Sequence, residues 1–159
     1  MYLNNSQRGV SLIELVLFIV IIGIALISLL LVMNVNTKSS ADPMLNKQAL
    51  AVAESMLEEV EHKAFANPVG GFGGATIQSN RGSFDSIDDY DGFATTGIYP
   101  ADGSATAING LTGYNVSVAV VAIAWGTITL ASGNAVQITV TVTNPQGIAL
   151  QAIGYRVNY

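Results

Sequence analysis

The chain has 159 residues and no cysteine; half of its residues are apolar, 11% are charged, and the formal net charge is −5. Without cysteine there is no disulfide framework, no thiolate metal site and no cysteine nucleophile. Six lysines and arginines leave no basic face for phosphates, so nucleic acid is not an expected partner. One histidine and no serine in a nucleophile-elbow pattern leave no catalytic constellation, and the chain reads as non-enzymatic with no catalytic residue.

Taken in chain order, a short basic stretch ending in Arg8-Gly9 leads into a hydrophobic run. From Leu15 to Met33 no residue is charged, and only Gly23 and Ser28 interrupt the apolar run. A helix of this length extends about 28 Å, close to the thickness of a bilayer core. A soluble fold this small cannot enclose so apolar a helix, so the run reads as a membrane span. An ordinary signal peptide would have a shorter apolar region followed by a small-residue cleavage site. Val32-Met33-Asn34-Val35 is not such a site. A plain signal anchor leaves Glu14 without a purpose, because a carboxylate at the edge of an apolar span needs a partner.

Arg8-Gly9-Val10-Ser11-Leu12-Ile13-Glu14-Leu15 resembles the processing motif of type IV prepilins and type II secretion pseudopilins. The resemblance implies that prepilin peptidase cuts between Gly9 and Val10 on the cytoplasmic side and that the new N-terminus is methylated. Val10 stands where the family usually has Phe, and Ser11 where it often has Thr. The resemblance further implies that the Val10 amine of one subunit neutralises Glu14 of its neighbour during filament assembly. The electrostatics agree with this. A freed α-amine has a pKa near 8 and is mostly cationic at neutral pH. Glu14 lies four residues on, one helical turn away, and opposite charges attract strongly where water is scarce. Gly23, inside the span, weakens the helix and is expected to allow local extension when subunits pack.

Orientation follows from charge. Arg8 precedes the span, the leader has no acid, and Lys38 follows the span, which fits a single-pass, N-in anchor in the bacterial inner membrane with a periplasmic soluble part. After a polar patch, Asp42-Pro43 fits either an N-cap with proline at the first helical position or a kink inside one long helix. Leu45, Ala49, Val52, Met56 and Val60 then define one helical face, expected to pack on a sheet. Asn46, Lys47, Glu54 and the acidic group Glu58, Glu59 and Glu61 read as a solvated face. His62 and Lys63 suit a helix C-terminus, and His62 reads as a solvated terminal residue.

Residues 64–113 are rich in glycine and lack periodicity. Gly70-Gly71-Phe72-Gly73-Gly74 reads as a turn and not a phosphate loop, because no Lys-Ser/Thr ending follows and no strand precedes. Phe84-Asp85-Ser86-Ile87-Asp88-Asp89-Tyr90-Asp91-Gly92-Phe93 is the most distinctive stretch. Asp85, Asp88, Asp89 and Asp91 form a weak calcium candidate, since calcium takes oxygen ligands, but the spacing is not that of an EF-hand. Otherwise no cofactor or metal is expected. The competing reading is an acidic turn whose Phe84, Ile87, Tyr90 and Phe93 tuck under the sheet. The stretch is also similar to the Asp-Asp-Tyr-x-Gly-Phe segment of the biogenesis-protein-D family of mannose-sensitive haemagglutinin pili, and the ending Gly154-Tyr155-Arg156-Val157-Asn158-Tyr159 resembles the end of that minor pilin family.

Period-two alternation of β-branched residues over 116–120 and 136–143 predicts strands, and Asn144-Pro145-Gln146-Gly147 predicts a turn into a last strand over 148–157. Thr127 to Leu130 is expected to be a short edge strand. The fold class is therefore α+β and pilin-like: a long N-terminal helix packed on a C-terminal antiparallel sheet of three to five strands. The expected organisation is a cleaved leader over 1–9, a transmembrane and assembly helix over 10–33, an amphipathic half over 34–63, and a periplasmic region over 64–159 with loops to 113 and sheet from 114. The leading expectation is a minor pilin or pseudopilin in a type IV pilus-like filament. Its expected partners are prepilin peptidase, other pilins or minor pilins, the pilus assembly platform and the inner membrane. The alternatives are a type II secretion pseudopilin and a membrane-anchored periplasmic binding module.

Overall fold

Residues 11–158 are described by a computed structural model, with the side chains of 31–42 outside the description. Arg8, Gly9 and Val10, the expected processing junction, lie outside the described residues, and so does the side chain of Lys38. One helix, α1, runs Leu12–Glu61, and Pro43 lies inside it. Of the two readings of Asp42-Pro43, the internal proline is the one observed. The chain divides into two units between Asp42 and Pro43.

In the second unit a four-stranded antiparallel sheet has the order β1-β2-β3-β4, with β1 at Ala94–Thr96, β2 at Asn115–Ala122, β3 at Ala135–Thr143 and β4 at Ala149–Val157. The strands form where β-branched residues alternate with small polar ones, because a pleated strand sends successive side chains to opposite faces. Val118 faces Val140, which faces Ala152, and Val116 faces Val142, which faces Leu150. These rows meet the buried stripe of α1, formed by Ala49, Ala53, Met56 and Val60, with Leu45 and Val52 packed at its border. The expected packing of the amphipathic helix on the sheet is thus observed, with Ala53 added to the stripe. The other face carries Val121, Gln137 and Tyr155 in one row and Ala119, Thr139 and Ile153 in the next. No charged residue lies between Asp102 and Arg156, so this outer face is uncharged.

The loops contribute the rest of the core. Phe84, Ile87, Tyr90 and Phe93 are all buried, as the tucked-turn reading predicts. Phe84 meets Tyr90 edge-on with ring centroids 4.9 Å apart and meets Phe93 edge-on at 5.9 Å, a favoured geometry for aromatic pairs. Two local expectations differ from the structure. Ala94–Thr96, inside the loop-rich region, pairs with Asn115–Ser117 of β2. Thr127–Leu130 is not a strand: Trp125 and Ile128 form an isolated bridge, and Leu130–Ser132 makes a 3₁₀ turn. Gly126 and Gly133 bracket this segment at positive φ, so the backbone turns where the β-branched composition alone suggests extension.

Candidate functional site

The candidate site lies in the N-terminal segment. Ser11 precedes the first helical residue, and its carbonyl accepts a hydrogen bond from the Leu15 N–H at 3.1 Å. Glu14 falls in the first turn of α1. That position lies at the positive end of the helix dipole, where a carboxylate is favoured. Around it the helix is unrelievedly apolar. Leu12–Leu30 has a mean hydropathy of 3.0 and is long enough to cross a membrane. The large apolar side chains of this stretch are all exposed, from 40% at Ile22 to 81% at Leu12. Area so large and apolar is unfavourable in water and marks a surface meant for lipid or for other helices. Gly23 sits in regular helix, and a Cβ there would meet nothing within 4 Å. Ser28 turns its hydroxyl onto the Ile24 carbonyl at 2.9 Å, which hides its one polar group.

In the second unit a buried polar cluster ties the loops to α1. Arg81 Nε donates to Glu59 Oε1 at 2.9 Å and Nη2 to Oε2 at 2.5 Å, while Nη1 donates to the Tyr99 carbonyl at 2.9 Å. The Tyr90 hydroxyl donates to the same Glu59 Oε1 at 2.7 Å. Burial pushes the Glu59 carboxyl up, but the hydrogen bonds from Arg81 and Tyr90 and the guanidinium charge outweigh it, and its pKa lies below the usual value. Burial and the bond to the Glu59 carboxylate push the Tyr90 phenol well above its usual value. The Arg81 guanidinium also lies 5.7 Å from the centre of the Phe93 ring. Glu59 is therefore not part of a solvated acidic face. The signal that could have found its partner is that Arg81 is the one charged residue between Lys63 and Asp85. Beside this cluster, Val52, Ser55, Ile98, Tyr99, Ile108 and Leu111 are among the residues lining a cavity of about 340 Å³.

The four aspartates do not converge. Asp89 Oδ2 accepts the backbone N–H groups of Asp85 and Ser86, at 3.0 and 2.9 Å. Asp85 Oδ2 accepts the Phe72 N–H, and Asp91 Oδ1 accepts the Val120 N–H, both at 2.9 Å. Asp88 is exposed. Among the described residues no three acidic or histidine side chains form a group that could hold a metal. His62 is exposed, and its ring lies on the Glu58 carbonyl one turn back.

Residues 4–30 match the family model described as the prokaryotic N-terminal methylation motif. No curated protein and no solved structure matches the chain. The motif supports a type IV pilin-like family, whose precursors are processed by prepilin peptidase and assemble with other pilins. It points to a structural subunit and not to an enzyme, and with the apolar helix it suggests membrane anchoring. The fold agrees: an N-terminal apolar helix followed by a four-stranded antiparallel sheet is a pilin-like α+β arrangement.

Proposed function

We propose that this chain is a minor pilin or pseudopilin, cut between Gly9 and Val10, methylated at Val10, and assembled through its N-terminal helix into a type IV pilus-like filament. The observation that carries the reading is the position of Glu14. It is one carboxylate at the head of a span that otherwise offers only apolar contact, inside a stretch matching the methylation motif. Apolar packing alone gives cohesion without register, because one apolar helix slides along another at little penalty. A carboxylate that must meet a cation adds register. The cation in this reading is the freed Val10 amine of a neighbouring subunit, and their pairing removes the desolvation cost that each charge would carry alone. The soluble part then lies on the periplasmic side. The Asp-Asp-Tyr-x-Gly-Phe stretch and the C-terminal residues favour a minor subunit of the haemagglutinin-pilus type over a type II secretion pseudopilin.

The deciding experiment is N-terminal mass analysis of membrane-extracted protein. A mature chain that begins with methylated Val10 supports the reading. An intact Met1 in cells with an active prepilin peptidase refutes it.

A further inference from the structure

The outer face of the sheet, opposite the Pro43–Glu61 half of α1, carries no charge. Arg156 is the one charged residue in the four strands, and its guanidinium turns to the other side, onto the Glu61 carbonyl. A solvated sheet ordinarily carries charges of both signs, which keep it from sticking to neighbours. Here hydroxyl, amide and aromatic side chains take their place.

The face has two ends. At one, Tyr155 lies in register with Gln137 and Val121, and its ring meets that of Trp125 with centroids 5.1 Å apart. Trp125 is 50% exposed and Tyr155 49%, so the two rings pack on each other and still present a surface to solvent. At the other end, Thr96, Asn115 and Thr143 form one cross-strand row, and Ala94, Ser117 and Thr141 form the next. These two rows line an open hollow of about 300 Å³. Gln151 continues the second row and donates its amide to Thr141 Oγ1 at 3.1 Å, which holds a polar group at the border of the hollow. Gln151 and Tyr155 stand on the same face of β4, about 13 Å apart along the strand.

We propose that this face binds a linear, uncharged, β-linked glycan, with sugar rings laid on Trp125 and Tyr155 and sugar hydroxyls in the hollow. A pyranose has an apolar C–H face and a polar rim of hydroxyls. The C–H face stacks on an exposed aromatic ring, and rigid aromatic side chains supply such area at little conformational cost. The rim needs neutral groups that both donate and accept, which threonine, serine, asparagine and glutamine provide. An apolar partner would instead leave the hydroxyls and amides of the hollow desolvated and unpaired. A β-linked chain runs extended, as the strands do, and a few sugar units cover the distance from the rings to the hollow. The assignment is independent of whether the chain enters a filament.

The chain has one tryptophan, so its emission reports on this face. The test titrates the full chain, in a detergent without a sugar headgroup, with cellohexaose and with chitohexaose. At least one of them changes the Trp125 emission saturably, with half-saturation at about 1 mM for so open a site. Oligogalacturonate of the same length, whose charges meet no counter-charge, leaves the emission unchanged. Tyr155→Ala removes half of the aromatic platform and weakens binding at least about tenfold. Gln151→Ala, at the exposed border of the hollow, weakens it about fivefold. No response to either neutral hexasaccharide overturns the proposal, as does an equal response to oligogalacturonate or wild-type affinity in Tyr155→Ala. Emission that shifts with protein concentration and not with saccharide gives the face to a second copy of the chain and overturns it too. If Tyr155→Ala does not fold, Gln151→Ala decides, and an unchanged affinity there overturns the proposal.

Discussion

Arg81 holds Glu59 by a two-point fork, Nε on one carboxylate oxygen at 2.9 Å and Nη2 on the other at 2.5 Å, across a separation of 22 residues. Arg81 is 6% exposed and Glu59 20%. The pair is the polar pin between α1 and the loop that precedes the aspartate stretch. Its guanidinium has a third bond to the Tyr99 carbonyl, which extends the pin to the segment after β1. Removing one partner leaves the other charge partly buried and alone, which is more damaging than the pair is stabilising. Arg81→Ala is therefore expected to lower unfolding free energy by about 2–3 kcal/mol, at the lower end for buried pairs because Glu59 keeps some water. Arg81→Lys recovers only part of this, since an ammonium cannot make the planar fork. Urea denaturation of the full chain in detergent reads both.

The same cluster sets a pH window. The Glu59 pKa is lowered in the folded state from 4.5. Its contribution is fully present above about pH 4.5 and is lost as the pH falls through the lower folded value, because the unfolded chain then takes up the proton first. The Tyr90 pKa is raised from 10.0, so its contribution is present below about pH 10 and erodes as the pH rises beyond that. Stability is expected to be flat between these limits as far as this pair is concerned. Tyr90→Phe should remove Tyr90's share of the alkaline slope, leaving that of Tyr114, which burial also raises, and should shallow the acid slope, because the Tyr90 hydrogen bond helps hold the Glu59 carboxyl down. Thermal midpoints measured from about pH 3 to 11 test both limbs.

Glu14→Ala is expected to leave membrane insertion intact, because the change makes the Leu12–Leu30 span more apolar. Cleavage after Gly9 should persist as well, since Glu14 lies beyond the junction. Incorporation into a filament should fall at least about tenfold, because a subunit lacking the carboxylate offers no counter-charge to a neighbouring amine in a dry environment. Glu14→Gln should fail similarly, since a neutral amide keeps the size and loses the charge. Fractionation into membrane and sheared-filament pools reads the effect, and wild-type amounts of the Ala variant in the filament pool would remove Glu14 from assembly.

Features with a short repeat were readable from sequence. The stripe Leu45, Ala49, Val52, Met56 and Val60 announces a helix face, and the valines of β2 and β3 announce strands, because each pattern repeats over several turns or pleats. The burial of Phe84, Ile87, Tyr90 and Phe93 was legible from their spacing among aspartates. The Glu59 pairing was not, because three acids near a helix end look alike until the chain brings Arg81 back. A strand as short as Ala94–Thr96 has too few residues to show alternation. Thr127–Leu130 has strand composition, but Gly126 and Gly133 at positive φ and the Trp125–Ile128 bridge close it into a turn. Of the N-terminal segment, the apolar helix was legible because its pattern is local. The register between subunits is a property of pairs of chains, and one sequence carries only half of each contact.

Asn144 joins both kinds of information, local and distant. Its Oδ1 accepts the N–H groups of Gln146 at 2.9 Å and Ile148 at 3.0 Å, inside the turn linking β3 to β4. Its Nδ2 donates to Asn46 Oδ1 at 2.8 Å, which ties that turn to α1 across 98 residues. The turn needs the first set, because Pro145 supplies no donor and Gly147 adopts φ +83. The helix contact needs the second, because Asn144 is buried at 3% exposure. Asn144→Asp separates the two roles. It preserves an acceptor for the turn amides and loses the donor to Asn46, placing two oxygens face to face. Asn144→Ala loses both sets. The Ala variant is expected to cost about 2–3 kcal/mol, and the Asp variant at neutral pH a comparable amount through desolvation of the carboxylate. Below about pH 4 the introduced carboxyl is protonated and can donate to Asn46 again. The Asp variant should therefore regain part of its deficit relative to wild type as the pH falls, while the Ala variant does not. Parallel urea titrations of the three chains at neutral and acid pH distinguish a turn-forming Asn144 from one that also fastens the turn to the helix.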